Sequence, residues 1–242
     1  MGRYLEHQIN EVEYWKPRLI EKTGNAFADI KNEIKYSFNT LKSKKVVYDN
    51  FGQTVNLGSK IDYSLGCIKS EILDVKTPSF VETAEDIGGI LKSENKIEIR
   101  FITSPSFENR NEYTILTFNK KWSAKYYYYK PDTNNLFSKD INAKIDIDTI
   151  FSRLVSNNIF SLPDQHSLKT EKYEYNPETN KFIGQGIAFV DGTCYYIEFK
   201  VGDFYRRYCF YNPDSYADFY PQVYELRNFA NIVEIFKELM KE

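Results

Sequence analysis

Cysteine is scarce in this 242-residue chain. Its three positions, Cys67, Cys194 and Cys209, follow neither the paired spacing of a zinc motif nor the framework of a disulfide-rich domain, so reduced, buried thiols are expected. Long apolar runs are missing too. No stretch approaches the ~18 apolar residues of a membrane span, and the opening from Met1 to Trp15 is charged and lacks the apolar centre of a signal peptide. Met1-Gly2 begins like a myristoylation signal, but Glu6 stands where Ser or Thr is required. The expected location is cytoplasmic, unless a leader precedes these residues, with no membrane partner.

An excess of charge of one sign is also absent. Thirty-two basic and 34 acidic side chains leave a net charge of −2, and the pI is near 5.9. That balance gives no electrostatic footing for nucleic acid, which is excluded as the expected partner. Catalytic signatures are wanting as well. There is no G-x-S-x-G, no H-E-x-x-H, no Cys–His pattern and no phosphate loop among the glycines. Asp140, Asp146 and Asp148 resemble a carboxylate cluster, but their spacing departs from a calcium loop, and entry into a helix at Asp146 or Asp148 explains them more simply. The expectation is no cofactor and no metal.

Aromatic side chains are abundant, at 20 Tyr and 18 Phe. Lys far outnumbers Arg and Ala is scarce, a profile that AT-rich codons produce, so codon bias is the first explanation of the aromatic content. One phrase recurs three times, Tyr–X–Pro–acid–hydroxyl, at Tyr129–Thr133, Tyr175–Thr179 and Tyr211–Ser215. Proline presets the second position of a type I turn and pushes its predecessor toward extended geometry, so each copy ends a strand in a turn. Asn134 and Asn180 stand where a bulged hairpin needs a left-handed residue. The third copy runs instead into Tyr216, Phe219 and Tyr220, about one turn of helix in an aromatic loop over 211–226.

The fold class expected is α+β, with antiparallel β-meanders, helices packed on one face, and an N-terminal pair of helices. Residues 1–45 form the helical segment, from apolar stripes at Leu5, Ile9 and Val12 and at Phe27 through Leu41, closed by Lys42, Lys44 and Lys45. Residues 46–95 mix loop, short strands such as Val46-Val47-Tyr48, and a helix entered at Pro78-Ser79. Residues 96–242 form the sheet region, as one meander plus helix over 96–160 and a second over 165–242. Asp191-Gly192 predicts a two-residue hairpin, and Gly202-Asp203 another. The latter pairs Phe199 with Arg206 and Ile197 with Tyr208 on one face, and Glu198 with Arg207 and Tyr196 with Cys209 on the other. Cys194 and Cys209 are then not directly opposite, which disfavours a disulfide.

Arg206 falls on the apolar face of its strand, where a guanidinium needs partners, and Asp214 and Asp218 lie just beyond. Tyr126 to Tyr129 must alternate between faces, sending Tyr127 to the side opposite Tyr126. The function expected first is a non-catalytic protein-interaction module whose partner is another protein, in the setting of a bacterial immunity or conflict system. The alternative is a small-ligand sensor or enzyme with a cleft near the 211–226 loop, lined by Arg206, Asp214, Tyr216 and His166. Arg206, Asp214, Tyr216, Tyr220, His166 and Tyr127 are the candidate binding residues; no catalytic residue is assigned.

Overall fold

A computed structural model describes residues 44–55, 66–73, 87–107, 111–129 and 135–241. The expected N-terminal helices, the helix entry at Pro78-Ser79 and the turn residues 130–134 lie outside that set. Lys44 and Lys45 do not end a helix: they open strand β1 (Lys44–Asp49), because Val46, Val47 and Tyr48 are buried apolar residues suited to a sheet.

Among the described residues, ten antiparallel strands form two sheets. β2 (Cys67–Ile72), β7 (Leu168–Asn176) and β8 (Lys181–Gln185) join β1 in a four-stranded sheet ordered β1-β2-β7-β8. The six-stranded sheet runs β10-β9-β3-β4-β5-β6, from β3 (Ile97–Pro105), β4 (Glu112–Phe118), β5 (Trp122–Tyr129), β6 (Leu136–Asp140), β9 (Thr193–Val201) and β10 (Phe204–Tyr211). Among the described residues, α1 (Ile147–Ser156) follows β6, and α2 (Pro213–Phe219) and α3 (Tyr224–Met240) follow β10. The molecule is α+β, as the period-two and period-3.6 stretches predict.

One face of the six-stranded sheet makes the core. Alternation sends Ile97, Ile99 and Phe101, Ile197, Phe199 and Val201, and Tyr208 and Phe210 to the same side, all buried. α1 and α3 cover them. Phe236 stacks on Phe101 with ring centroids 4.5 Å apart, Phe229 on Phe210 at 4.2 Å, and Phe151 meets Trp122 at 4.7 Å. Each such buried aromatic contributes about 1.5–3 kcal/mol by removal from water. Asp146 caps α1, its carboxylate accepting the Thr149 N–H at 3.2 Å, which is the helix entry its position predicts.

The Gly202-Asp203 hairpin has the expected register throughout: Val201 faces Phe204, Phe199 faces Arg206 and Glu198 faces Arg207. The second Tyr–X–Pro phrase is the tip joining β7 to β8. Asn176 Oδ1 accepts the N–H groups of Glu178 and Thr179, and Asn180 takes a φ of 49°. Asp191-Gly192 does not join two paired strands. The preceding strand, β8, pairs with β7 in the other sheet, so 165–242 is divided between sheets rather than forming one meander. Gly192 is instead a point of close approach. A Cβ there would lie 2.1 Å from the Asn212 amide nitrogen, and Asn212 Oδ1 accepts the Thr193 N–H at 2.8 Å. Asn212 has a φ of 43° and leads through Pro213 into α2, so the third phrase releases the chain into a helix of seven residues.

Candidate functional site

The second face of the six-stranded sheet carries charge in a buried setting. Glu98 and Arg100 of β3, Glu198 of β9 and Arg207 of β10 share this face and are all buried. Register sets Arg100 opposite Glu198 and Glu198 opposite Arg207, a row of alternating sign across three strands. Buried charges persist only when paired and hydrogen-bonded, as Glu98, Arg100 and Glu198 are. Arg100 Nε donates to Glu98 Oε1 at 2.7 Å, and its Nη1 donates to the Gly88 carbonyl at 2.9 Å and lies 3.7 Å from Glu198 Oε2. Glu198 Oε1 accepts the Tyr205 hydroxyl at 2.8 Å, and Glu98 Oε2 accepts the Asn95 amide at 3.0 Å and the Ser93 hydroxyl. Arg207 lies over the Tyr196 ring at 4.5 Å. A cleft of about 470 Å³ opens beside this network, lined by Glu98, Arg100, Lys125 and Tyr127 among others.

Toward the β10 edge the same face turns to thiols. Cys209 faces Tyr196 and Cys194 faces Tyr211, so the two cysteines are diagonal neighbours on one face. The turn at Pro163-Asp164 and the 3-10 turn Gln165–Ser167 lie along that edge. Asp164 Oδ2 accepts the Cys209 N–H at 2.9 Å, Asp164 Oδ1 accepts the His166 N–H at 2.9 Å, and Gln165 Oε1 accepts the Tyr211 N–H at 2.5 Å. Donor atoms of Asp164, His166 and Cys209 fall within 4.8 Å of one another. The Cys209 hydrogen bond holds the Cys194 thiol down to about 7, aided by Tyr196 and Arg207. Cys209 is driven above the usual thiol range by its bond to Cys194, by burial and by the charge of Asp164.

The six residues singled out from sequence do not share one cavity. Arg206 is buried on the core face, where its guanidinium donates to the carbonyls of Phe160, at 3.3 Å, and of Leu162, and lies over the Tyr208 ring. His166 stands by Cys209, which points to the opposite face of β10. Asp214 forms an ion pair with Lys237 of α3 at 3.8 Å, and burial raises its carboxyl above the ordinary range. Tyr216 meets Phe189 edge-on at 5.2 Å, and Tyr220 is buried against Phe219 at 4.8 Å. Tyr127 lies on the charged face and lines its cleft. The charged row was visible in sequence as polar positions of alternating strands, but burial of that row was not. The convergence of Cys194, Cys209, His166 and Asp164 left no spacing signal, because the turn and the strand are some 45 residues apart in the chain, as the Cys209–Asp164 bond measures.

The four-stranded sheet offers a different surface. All five residues of β8 are exposed, including Phe182 and Ile183, and among the described residues β8 pairs only with β7. Beyond it Val190 is 90% exposed. Compared with protein-family models, with curated proteins and with solved structures, the chain finds no match.

Proposed function

We propose that this chain is a non-catalytic protein-interaction module that receives an extended segment of a partner protein along β8. The observation that carries the reading is that β8 exposes both faces while presenting Phe182 and Ile183. A strand in that state offers backbone hydrogen bonds for affinity and apolar side chains for selectivity, the elements of strand addition. Of the outer strands of the other sheet, β6 is less suited, because Leu136 and Phe137 are half-buried and Ser138, Lys139 and Asp140 leave its exposed part polar. Support also comes from the buried charges, since Glu98, Arg100 and Glu198 are occupied with one another and with backbone or hydroxyl groups rather than turned toward a substrate. The setting we propose is a bacterial conflict or immunity system in which the bound partner is held inactive.

The test is a photo-reactive amino acid placed at position 183 and, as control, at position 120 in the β4–β5 turn, followed by irradiation in the producing cells. The expected result is one protein joined at 183 and not at 120, lost when Phe182 and Lys181 are replaced by Glu. No adduct at 183, or the same adduct from both positions, overturns the reading.

A further inference from the structure

We propose that Cys194, Cys209, His166 and Asp164 form a four-ligand zinc site that fastens the 164–166 turn to the edge of β10. The ligand set is of the right chemistry: two thiols, an imidazole and a carboxylate are the donors zinc takes in tetrahedral sites. Donor atoms of Asp164, His166 and Cys209 already lie within 4.8 Å of one another. Tetrahedral zinc, with bonds of roughly 2.0–2.3 Å, asks its ligands to approach to about 3.3–3.8 Å, so binding would draw these donors together by about 1 Å. Cys194, diagonal to Cys209 on the same face of the sheet, stands outside that 4.8 Å group and would close on it as the fourth donor.

Two further features suit a metal rather than a disulfide or an inert thiol pair. Diagonal cross-strand positions lie roughly 7–8 Å apart, beyond the distance at which two cysteines close a disulfide without moving the backbone. A bridging ion needs no such movement. Asp164 is also held in place from behind: its two oxygens each accept one backbone N–H, from His166 and from Cys209, leaving further lone pairs on both for an ion. Two thiolates and a carboxylate would overbalance a divalent cation by one charge, and the Arg207 guanidinium shares their face of the sheet. Cys67 lies in the other sheet, facing Tyr173, and takes no part.

Cobalt(II) replaces zinc in such sites and reports thiolate ligation directly. The full chain, stripped of metal and kept reduced without thiols, is titrated with Co(II) and then with Zn(II). Expected are a thiolate-to-cobalt charge-transfer band and tetrahedral visible bands that saturate at one ion per chain and are displaced by zinc. C209S abolishes them and H166A weakens binding on the order of tenfold or more, whereas C67S leaves them unchanged. His166 is exposed, so H166A tests the site without disturbing the core, and far-ultraviolet circular dichroism checks the fold of each variant. Absence of the band, its survival in C209S, or its loss in C67S overturns the assignment.

Discussion

The two sheets treat one outer strand each, β10 and β8, in opposite ways. At β10 the outward N–H groups of Cys209 and Tyr211 are taken by the side chains of Asp164 and Gln165, and the carbonyls of Phe160 and Leu162 behind them are held by Arg206. At β8 no described residue takes the corresponding place, and both faces of the strand stay exposed. An exposed edge is a template for pairing with another chain, so natural proteins close the edges they do not use. The contrast teaches that this fold can close an edge and does so at β10. On the function proposed above, β8 is the edge a partner would take, and because no described residue covers it, substitutions there should cost little stability.

The largest effect separating the two sheets should come from the buried charges of the six-stranded one. Glu198 is fully buried between Arg100 and Arg207 and accepts the Tyr205 hydroxyl. E198A removes one of the two carboxylates that Arg100 pairs with and the carboxylate that Arg207 faces, a kind of change that costs about 3–5 kcal/mol in buried ion pairs. Urea unfolding should show the midpoint collapsing. A loss under ~1 kcal/mol would mean that water reaches this face freely.

The closed edge can be opened directly. The double substitution D164A with Q165A removes the acceptors of two edge N–H groups, an expected loss of about 2–4 kcal/mol, and should also create self-association. Sedimentation velocity under chelator, which keeps metal effects out, reads the second part. A variant that stays monomeric up to high concentration would show that β10 is protected by its neighbours' bulk and not by these hydrogen bonds. At the open edge the reverse pattern is expected. F182K with I183K should change stability by no more than about 0.5 kcal/mol, as exposed substitutions do, while abolishing partner capture.

Much of the six-stranded sheet was legible residue by residue. The β9–β10 register followed from a Gly-first turn and strict alternation, which together leave one pairing that buries Ile197, Phe199 and Tyr208 on one side. Alternation likewise placed Tyr126 and Tyr128 together, and they stack at 5.4 Å. Asp191-Gly192 misled because a turn dipeptide states that the chain can reverse, not which strand it has left. β8 had already been claimed by β7 through Asn176 and Asn180, whose signal was equally strong. Arg206 was correctly placed on the apolar face, but its partners proved to be carbonyls of the segment after α1 rather than the aspartates nearby in sequence. Backbone acceptors carry no residue signature, so no reading of side chains could have found them. The Cys194, Cys209, His166 and Asp164 group was hidden for a related reason, since it depends on which edge the 164–167 turn lies against.

The smallest effect belongs to the four-stranded sheet and tests whether its charges behave as an exposed set. Glu171 of β7 accepts the Tyr173 hydroxyl at 2.9 Å and lies 3.2 Å from Lys169 Nζ. The Tyr173 hydrogen bond, with help from Lys169 and Lys69, holds its carboxyl below the ordinary carboxylate value of 4.5. A carboxyl lowered in the folded state binds fewer protons there than in the unfolded chain, so its stabilisation is present above that ordinary value and disappears as pH falls through the lowered one. Solvent screens a pair this exposed, and the whole contribution should be only a few tenths of a kcal/mol. E171Q is therefore expected to lower the thermal midpoint slightly at pH 7 and to match the parent protein at pH 3, with added salt shrinking the difference at pH 7. If the gap instead persists at pH 3, the hydroxyl contact to Glu171 stabilises the sheet without its charge, and the four-stranded sheet relies on hydrogen-bond geometry as the six-stranded one does.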